Sequence, residues 1–363
     1  MSLWNAANGP SVHAELVGRE LIKMGYELIV FSSIEHPDAR PTNQIDEEYV
    51  IRHFAVDTVN PITKAYYFDP TPLIEREYDI FIAENVERLP TIELYQLFPL
   101  IKRKAKTIMV VHEGGPSKDP NYYRFDWDAI VCFDKRYLSF IREYFPGDKI
   151  HIIPYPCYPY TPGDKKKARE ELGLPLNEKI IFSYGFRPGD ITKILPPIVK
   201  LSKIYPLRYI IFVNPESEYN ELIRAKNEDE HEYEFLDIKI SALPFDLLYK
   251  YLYASDALLF YRESSPYNAV LSSSVCLTLG SGCPILFNES NYVKMHGNEI
   301  IKYKDEDDMK QKLIDVFEGK FNNKHQSLVA EYLRRRDSRA VAKKFADLFN
   351  EIYGREGEGV IRH

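Results

Sequence analysis

Residues 249–286 constrain the fold more than any other part of the chain, because helix, strand, loop, helix and strand signals follow one another there. Residues 257–261 form a short apolar run that ends at a charged pair, which is typical of a buried parallel strand. Ser265-Pro266 then predicts a helix start, with serine as N-cap and proline at the first helical position. This helix is expected to end at residues 280–282, and residues 284–287 predict the next strand.

The predicted helix start has the character of an anion site. A helix N-terminus beyond the carboxyl end of a parallel strand offers free N–H groups and a positive dipole end. Tyr267 and Asn268 would supply those N–H groups to a diphosphate, with Glu263 beside them to accept hydrogen bonds from hydroxyls. Ser272 would supplement the phosphate contacts, or it packs as a small residue between helix and sheet. A phosphate site next to a hydroxyl acceptor predicts a nucleotide-sugar ligand.

Composition bounds the remaining alternatives. A chain of 363 residues with 45% hydrophobic content is long enough for two α/β domains. The sequence has no long apolar run and no signal pattern, so we expect a soluble, cytoplasmic protein without a transmembrane segment; peripheral membrane association stays open. Four widely spaced cysteines predict reduced side chains and no metal site. A net charge of −7 argues against a nucleic-acid partner. Scarce Gln with abundant Lys, Glu and Tyr is a thermophile-like composition.

Apolar strand runs alternate with amphipathic helices along both halves of the chain, which predicts βαβ units and parallel sheets. A proline-rich stretch at 152–163 interrupts the alternation and predicts a stiff linker. The fold class is therefore α/β, with two doubly wound domains around a hinge near residue 160. In the first half, strands are predicted at 26–31, 50–54, 79–83, 107–111 and 129–133. In the second half, they are predicted at 179–184, 209–213, 238–240, 257–261 and 284–287.

Several separately placed motifs carry a resemblance to a known family. They are Leu252-Tyr253-Ala254-Ser255-Asp256 before a strand, Glu263 after it, Gly282-Cys283-Pro284 before the next strand, and the Arg169-to-Pro175 helix end. Together they resemble the retaining GT-B fold glycosyltransferases, the family of glycogen synthases and mannosyltransferases. The resemblance implies two Rossmann-like domains with a cleft between them. It implies an acceptor domain at 1–155, a nucleotide-sugar donor domain at 156–337, a helix at 338–353 that crosses back to the first domain, and a mobile tail at 354–363.

The resemblance also implies roles for individual residues. His112 follows the apolar run 108–111 and would sit beside the anomeric carbon, while Glu263 would bind the donor sugar; these two are the predicted catalytic residues. Arg187 and Lys193 would neutralise the leaving diphosphate without a metal ion. Two further roles are predicted from the first domain. Gly9, in the loop before the first helix, would let the backbone approach the donor phosphates or the acceptor across the cleft, and Glu113 would face the acceptor.

Two features depart from the family pattern. The family carries a second glutamate eight residues after the first, where this chain has Leu271. The family also opens with a full apolar strand, where this chain has only Met1-Ser2-Leu3-Trp4; either the strand is cut short or the sheet tolerates a stub.

The predicted function is transfer of a hexose from a nucleotide diphosphate sugar to a hydroxyl acceptor with retention, and without a cofactor. The acceptor would be a carbohydrate, a lipid-linked hydroxyl or a small molecule. The alternative is a non-catalytic GT-B protein that binds nucleotide or glycan, or that partners an active enzyme. A nicotinamide-dependent oxidoreductase is disfavoured, since no G-x-G-x-x-G follows either first strand.

Overall fold

The computed structural model describes residues 1–34, 46–59, 62–185, 188–191, 193–213, 232–241, 243–321 and 323–354. The chain divides into two compact units. The first unit comprises Met1–Pro156, Tyr267–Ser273 and Arg335–His363, and the second comprises Cys157–Pro266 and Ser274–Arg334. No helix within the described ranges is long and apolar enough to cross a membrane.

Helices and strands alternate through the first 156 residues. The strands are β1 (Val30–Ser33), β2 (Val50–Val59), β3 (Ile62–Phe68), β4 (Ile80–Glu84), β5 (Lys106–Val110), β6 (Ala129–Cys132) and β7 (Ile150–Ile152). The helices are α1 (Gly9–Lys23), α2 (Thr71–Glu75), α3 (Thr91–Lys104) and α4 (Leu138–Ile141).

The same alternation continues to residue 334. The strands are β8 (Lys179–Tyr184), β9 (Leu207–Val213), β10 (Leu236–Ile240), β11 (Ala257–Phe260), β12 (Ile285–Asn288) and β13 (Ile301–Tyr303). The helices are α5 (Lys165–Leu172), α6 (Pro188–Ile191), α7 (Leu195–Ser202), α8 (Phe245–Ala254), α9 (Ser273–Thr278), α10 (Glu306–Phe317) and α11 (Asn323–Arg334). The last helix, α12 (Ser338–Gly354), belongs to the first unit.

The first unit holds two sheets among its described residues. One has the order β1-β2-β3 and the other, wholly parallel, has the order β4-β5-β6-β7. The expectation of parallel strands only is wrong at β2 and β3, which pair antiparallel. Two residues separate Val59 from Ile62, and a connection that short permits only a hairpin.

Helices α1 and α12 pack against each other on the first unit. Helix α1 begins at Gly9, where the Asn8 side chain accepts a hydrogen bond from the Ser11 N–H and satisfies one of the free donors of the first turn. Its apolar face includes Val17, and that of α12 includes Phe345; both side chains are buried. Burying an apolar side chain of this size contributes about 1.5–3 kcal/mol.

The second unit has one six-stranded parallel sheet in the order β10-β9-β8-β11-β12-β13. The strand order reverses direction between β8 and β11, so the loops after these strands lie at a topological switch point. Open α/β sheets bind ligands just outside the carboxyl ends of such strands. Glu263 follows β11, and Lys193 follows β8 and the short helix α6.

Candidate functional site

In the first unit, a buried carboxylate lies between two histidines. Glu84 is the last residue of β4, and His112 comes just after the neighbouring parallel strand β5. His112 Nε2 lies 2.8 Å from Glu84 Oε2, and His13 Nδ1, on α1, lies 3.0 Å from Glu84 Oε1. Parallel pairing of β4 with β5 brings Glu84 and His112 together, and helix α1 places His13 beside them.

The electrostatics of this cluster fix how the protons are placed. Burial alone would raise the pKa of Glu84, but attraction to His13 and hydrogen bonds with both imidazoles lower it to about 2. Burial lowers the pKa of His112, against the opposing effect of Glu84. At neutral pH Glu84 is therefore ionised and His112 neutral. Since Glu84 only accepts, His112 carries its proton on Nε2 and keeps the Nδ1 lone pair for another partner.

His13 is held rigidly on the other side of the carboxylate. Its ring lies between 5.2 and 5.8 Å, centroid to centroid, from the rings of His112, Phe133, Tyr155 and Phe345. Its Nε2 atom is buried and has no hydrogen-bond partner among the described residues. His13 Nδ1 bonds to Glu84, and aromatic rings enclose the Nε2 side of the imidazole. The arrangement fixes Glu84 and, through it, the orientation of His112.

This cluster is also the group of side chains whose ligand atoms are placed to hold a metal ion, since the ligand atoms of His13, Glu84 and His112 lie within 4.8 Å of one another. Two imidazoles and one carboxylate form a donor set that suits zinc. In this structure the three side chains are hydrogen-bonded to each other instead: His112 Nε2 lies 2.8 Å and His13 Nδ1 3.0 Å from the Glu84 carboxylate oxygens.

Glu113 points into the protein beneath the His112 loop. Its carboxylate accepts hydrogen bonds from the Tyr122 hydroxyl at 2.8 Å and from the His112 backbone N–H at 3.1 Å. Burial, reinforced by the charge of Glu87, raises the pKa of Glu113 to about 7. The acceptor-binding role stays a prediction, and the contacts show that Glu113 supports the loop carrying His112.

The helix start predicted at Ser265 is wrong, because α9 begins only at Ser273. Tertiary contacts take the backbone groups that a helix would have used. The Asn291 side chain makes two hydrogen bonds with the Ser265 backbone. Its Oδ1 accepts a hydrogen bond from the Ser265 N–H at 2.9 Å, and its Nδ2–H donates one to the Ser265 carbonyl at 2.7 Å. Further on, the Asn268 carbonyl accepts from Arg136 at 3.2 Å. Local capping signals are weak compared with such contacts.

The segment Tyr267–Val270 lies against Gly114 and Gly115 instead. A Cβ atom at Gly114 would lie 2.7 Å from Val270 Cγ1, and one at Gly115 would lie 2.7 Å from Tyr267 Cδ1. The Ala269 N–H donates to the Gly114 carbonyl at 3.2 Å. Glycine is therefore required at both positions for the segment to approach. Tyr267 stays 46% exposed on this surface.

Two other predicted donor residues lie near this surface. Gly9 is the first residue of α1 rather than part of a loop, so the predicted loop position is wrong; Asn8 caps the helix there. The Gly9 carbonyl accepts from the Tyr155 hydroxyl at 2.7 Å, and a Cβ atom on Gly9 would lie 3.3 Å from Ser273. Ser272 is buried.

In the second unit, Glu263 and Lys193 form an ion pair with each other. Each side chain shifts the pKa of the other. Their hydrogen bond lowers the pKa of Glu263 and raises the pKa of Lys193. Both side chains are exposed and line a cavity of about 490 Å³ with Asn288, Glu289 and others from the carboxyl ends of the strands. Arg187 lies outside the described residues.

The sequence analysis assigned no functional role to Glu84 or to His13. A signal for Glu84 was present, since it ends the apolar run of β4 at the edge of the sheet where β5 delivers His112. It also missed Asn288 and Asn291. The Asn288 side chain accepts from the Arg262 N–H at 2.8 Å and donates to the Arg262 carbonyl at 2.9 Å, so two asparagines hold the loop around Glu263.

No protein-family model matches the sequence. The chain is similar to a glycosyltransferase from Rickettsia africae ESF-5, with a TM-score of 0.67, 14% identity and 96% of each chain covered. It is similar to sucrose-phosphate synthase from Thermosynechococcus elongatus, with a TM-score of 0.64, 13% identity, and 98% of this chain and 96% of that chain covered.

A third similar structure carries a ligand. Anabaena HepE in complex with UDP-glucose matches with a TM-score of 0.56 and 12% identity, over 76% of this chain and 79% of that chain. Identities this low establish architecture and nothing finer. The architecture is unambiguous: this chain has the GT-B glycosyltransferase fold, with two Rossmann-like units.

Proposed function

We propose that this protein is a glycosyltransferase that moves a hexose from a nucleotide diphosphate sugar to a hydroxyl acceptor, with retention. The observation that carries the proposal is the GT-B fold, whose similar structures include HepE bound to UDP-glucose. Supporting it, charged side chains stand at the switch point of the second sheet, and an oriented imidazole stands at the strand ends of the first unit.

His112 acts at the transferred sugar in this proposal. Glu84 holds its Nε2–H and leaves Nδ1 as an acceptor, so the neutral ring receives a hydrogen bond from a sugar or acceptor hydroxyl. A rigid acceptor that needs no reorganisation during the reaction favours the transition state over the ground state. The leaving phosphate assists deprotonation of the acceptor hydroxyl.

In this proposal the ion pair between Lys193 and Glu263 breaks when the donor binds, and each side chain contacts a different part of the donor. Lys193 stabilises the negative charge that develops on the departing diphosphate, Arg187 shares this role as the sequence predicts, and Glu263 accepts hydrogen bonds from the sugar hydroxyls. In the free protein the two side chains neutralise each other. The proposed diphosphate contacts are cationic side chains, so transfer proceeds without a divalent metal.

A thermal-shift screen tests donor binding. UDP-, GDP-, ADP- and dTDP-sugars are compared with their bare nucleotides, because a ligand that binds the folded state raises Tm by mass action. We expect one nucleotide class to raise Tm. Glu263→Ala should remove the additional rise caused by the sugar, whereas Glu171→Ala, which alters an exposed carboxylate paired with Lys250, should behave like the wild type.

A non-catalytic GT-B protein is the second candidate. It is favoured by Leu271 at the position of the family's second glutamate and by the mutual neutralisation of Lys193 and Glu263. Binding of a nucleotide-sugar without any turnover would support it over the first proposal.

A further inference from the structure

The loop that follows β11 is held at two points by asparagine side chains from the end of β12 and the turn after it. The Asn288 Oδ1 atom accepts a hydrogen bond from the Arg262 N–H at 2.8 Å, and its Nδ2–H donates to the Arg262 carbonyl at 2.9 Å. The Asn291 carboxamide makes the same two bonds with the Ser265 backbone, at 2.9 and 2.7 Å. Glu263 lies between the two residues that are held.

These bonds continue the pairing of β11 with β12 beyond the end of the strand ladder. The two strands are parallel and paired as far as Phe260 and Phe287. Past that point, each asparagine follows the residue it binds by 26 positions. A carboxamide has one carbonyl and one NH₂ group, so it offers the donor and the acceptor of a peptide group. The two asparagine side chains therefore serve the loop as the backbone of a neighbouring strand would.

Further contacts fix the same loop. The Asn291 backbone N–H donates to Ser264 Oγ at 3.4 Å, and the Arg262 guanidinium lies 5.3 Å from the ring centroid of Tyr292. Asn291 is only 8% exposed, so its bonds to the loop are shielded from competing water. The Glu263 side chain, in contrast, is 66% exposed and lines the cavity of the second unit. The backbone on both sides of Glu263 is fixed while its carboxylate faces the cavity.

We propose that Asn288 and Asn291 are positioning residues for the transfer: they hold the loop backbone so that the Glu263 carboxylate meets the hydroxyls of the donor sugar without reorganisation. This inference rests on the proposed function. A group that is fixed before the substrate arrives favours the transition state, whereas a mobile group must first be ordered. Both asparagines act through Glu263, so they affect turnover and the part of the affinity that the sugar contributes. Affinity for the bare nucleoside diphosphate does not depend on them.

The test is made at Asn291, because Asn288 also lines the cavity and a change there would alter the cavity directly. Asn291→Ala removes both hydrogen bonds to Ser265. Asn291→Asp keeps an acceptor for the Ser265 N–H but turns a second oxygen towards the Ser265 carbonyl. When this acid is protonated, it regains one donor and one acceptor. Asn177→Ala, which changes an exposed asparagine in the turn before β8, is the matched control.

Three quantities are measured for each protein: hydrogen exchange in residues 262–266, Kd for the nucleotide-sugar and for the bare nucleoside diphosphate, and kcat with KM. In Asn291→Ala, exchange in the loop should accelerate at least about tenfold, with exchange in β8 and β9 unchanged. Its kcat should fall roughly 10–100-fold, and Kd for the bare nucleotide should stay the same. The activity of Asn291→Asp relative to the wild type should recover as the pH falls from 8 towards 5. Asn177→Ala should match the wild type throughout.

Several outcomes would overturn the positioning role. One is unchanged loop exchange in Asn291→Ala, and another is accelerated exchange with unchanged turnover; both leave the proposed function intact. Equal weakening of nucleotide-sugar and bare nucleotide binding would also overturn it, because the asparagine would then shape the nucleotide site. If Asn291→Ala does not fold, the pH profile of Asn291→Asp decides, and a profile parallel to that of the wild type contradicts the role.

Failure of the proposed function gives a different pattern. A wild type that binds a nucleotide-sugar without turnover contradicts transfer, and the positioning role is then judged by the affinity that the sugar adds to that of the bare nucleotide. Loss of this added affinity in Asn291→Ala supports the role, and its retention overturns it. A wild type that binds no nucleotide-sugar overturns both proposals.

Discussion

Replacing Glu84 by Gln should destabilise the first unit strongly, because the ionised carboxylate interacts favourably with both histidines in the folded state and glutamine cannot replace both interactions. Its pKa is lowered from 4.5 to about 2 by the two histidines. At about 1.4 kcal/mol for each tenfold change in the protonation equilibrium, this lowering contributes about 3 kcal/mol to the free energy of unfolding at neutral pH. Glutamine offers one acceptor oxygen to two imidazole donors, so one N–H loses its partner.

The pH dependence has a definite sign. A carboxylate whose pKa is lower in the folded than in the unfolded state stabilises the protein above pH 4.5, and that stabilisation disappears as the pH falls towards 2. At pH 7 the variant should lose about 3 kcal/mol, a drop in Tm of roughly 6–12 °C for a cooperative unit of this size. Between pH 4.5 and pH 2 the difference between wild type and variant should shrink.

Glu113 provides a matched control, since it is also buried and also contacts the His112 loop. Its pKa is raised to about 7, the opposite direction. The folded state therefore loses stability as the pH rises from 4.5 through 7, and Glu113→Gln should be neutral or stabilising at pH 8. Urea unfolding of the wild type and both variants at pH 5.5 and pH 8 measures this. Similar losses in Glu84→Gln and Glu113→Gln, or no loss in Glu84→Gln, would refute the reasoning.

Four further outcomes follow from the site residues. Glu263→Ala should reduce transfer roughly 10²–10³-fold while affinity for the bare nucleoside diphosphate stays unchanged, as measured by steady-state kinetics and calorimetry; equal weakening of both would give the residue another role. Leu271→Glu should tighten nucleotide binding, and an unchanged Kd would indicate that the ribose is held by another group. EDTA should leave transfer intact, whereas loss of activity that Mg²⁺ restores would contradict the assigned diphosphate contacts. Gly115→Ala should displace Tyr267, seen as faster hydrogen exchange in residues 267–270 without a large change elsewhere.

The GT-B fold was predicted from sequence and is confirmed by the similar structures. Two strands were located well: β8 begins and ends as predicted, and β4 differs by one residue at each end. The strand predicted at 26–31 was wrong at both ends, since β1 spans Val30–Ser33. Residues 26–29 have strand-forming side chains, but pairing with β2 begins only at Val30, and periodicity cannot reveal where a neighbouring strand starts.

Strand β3 was missed, and so were the three-residue strands β7 and β13. β7 (Ile150–Ile152) ends where the predicted linker begins, and β13 also has only three residues, Ile301–Tyr303. Pairing with β6 and β12 respectively holds them extended. Such contacts are non-local, and no pattern within three residues encodes them.

The candidate site was predicted in part. His112 lies at a strand end as predicted, and Lys193 and Glu263 lie on one cavity. The roles assigned to them stay predictions. Sequence reasoning placed the phosphate contacts on a helix start at Ser265 because the capping residues were present, but Asn291 binds that serine backbone from a distant strand connection. The network of Glu84 and His13 requires knowledge of which strands are neighbours, and this comes from the topology.

The most direct test of the proposed function is release of nucleoside diphosphate from each nucleotide-sugar, followed by mass spectrometry in the wild type, His112→Ala and Glu263→Ala. Water serves as the surrogate acceptor when no acceptor hydroxyl is supplied. The proposal predicts slow release from one donor class by the wild type and at least ~100-fold slower release by both variants. Release at equal rates by all three proteins, or none from any donor that the wild type binds, would contradict it.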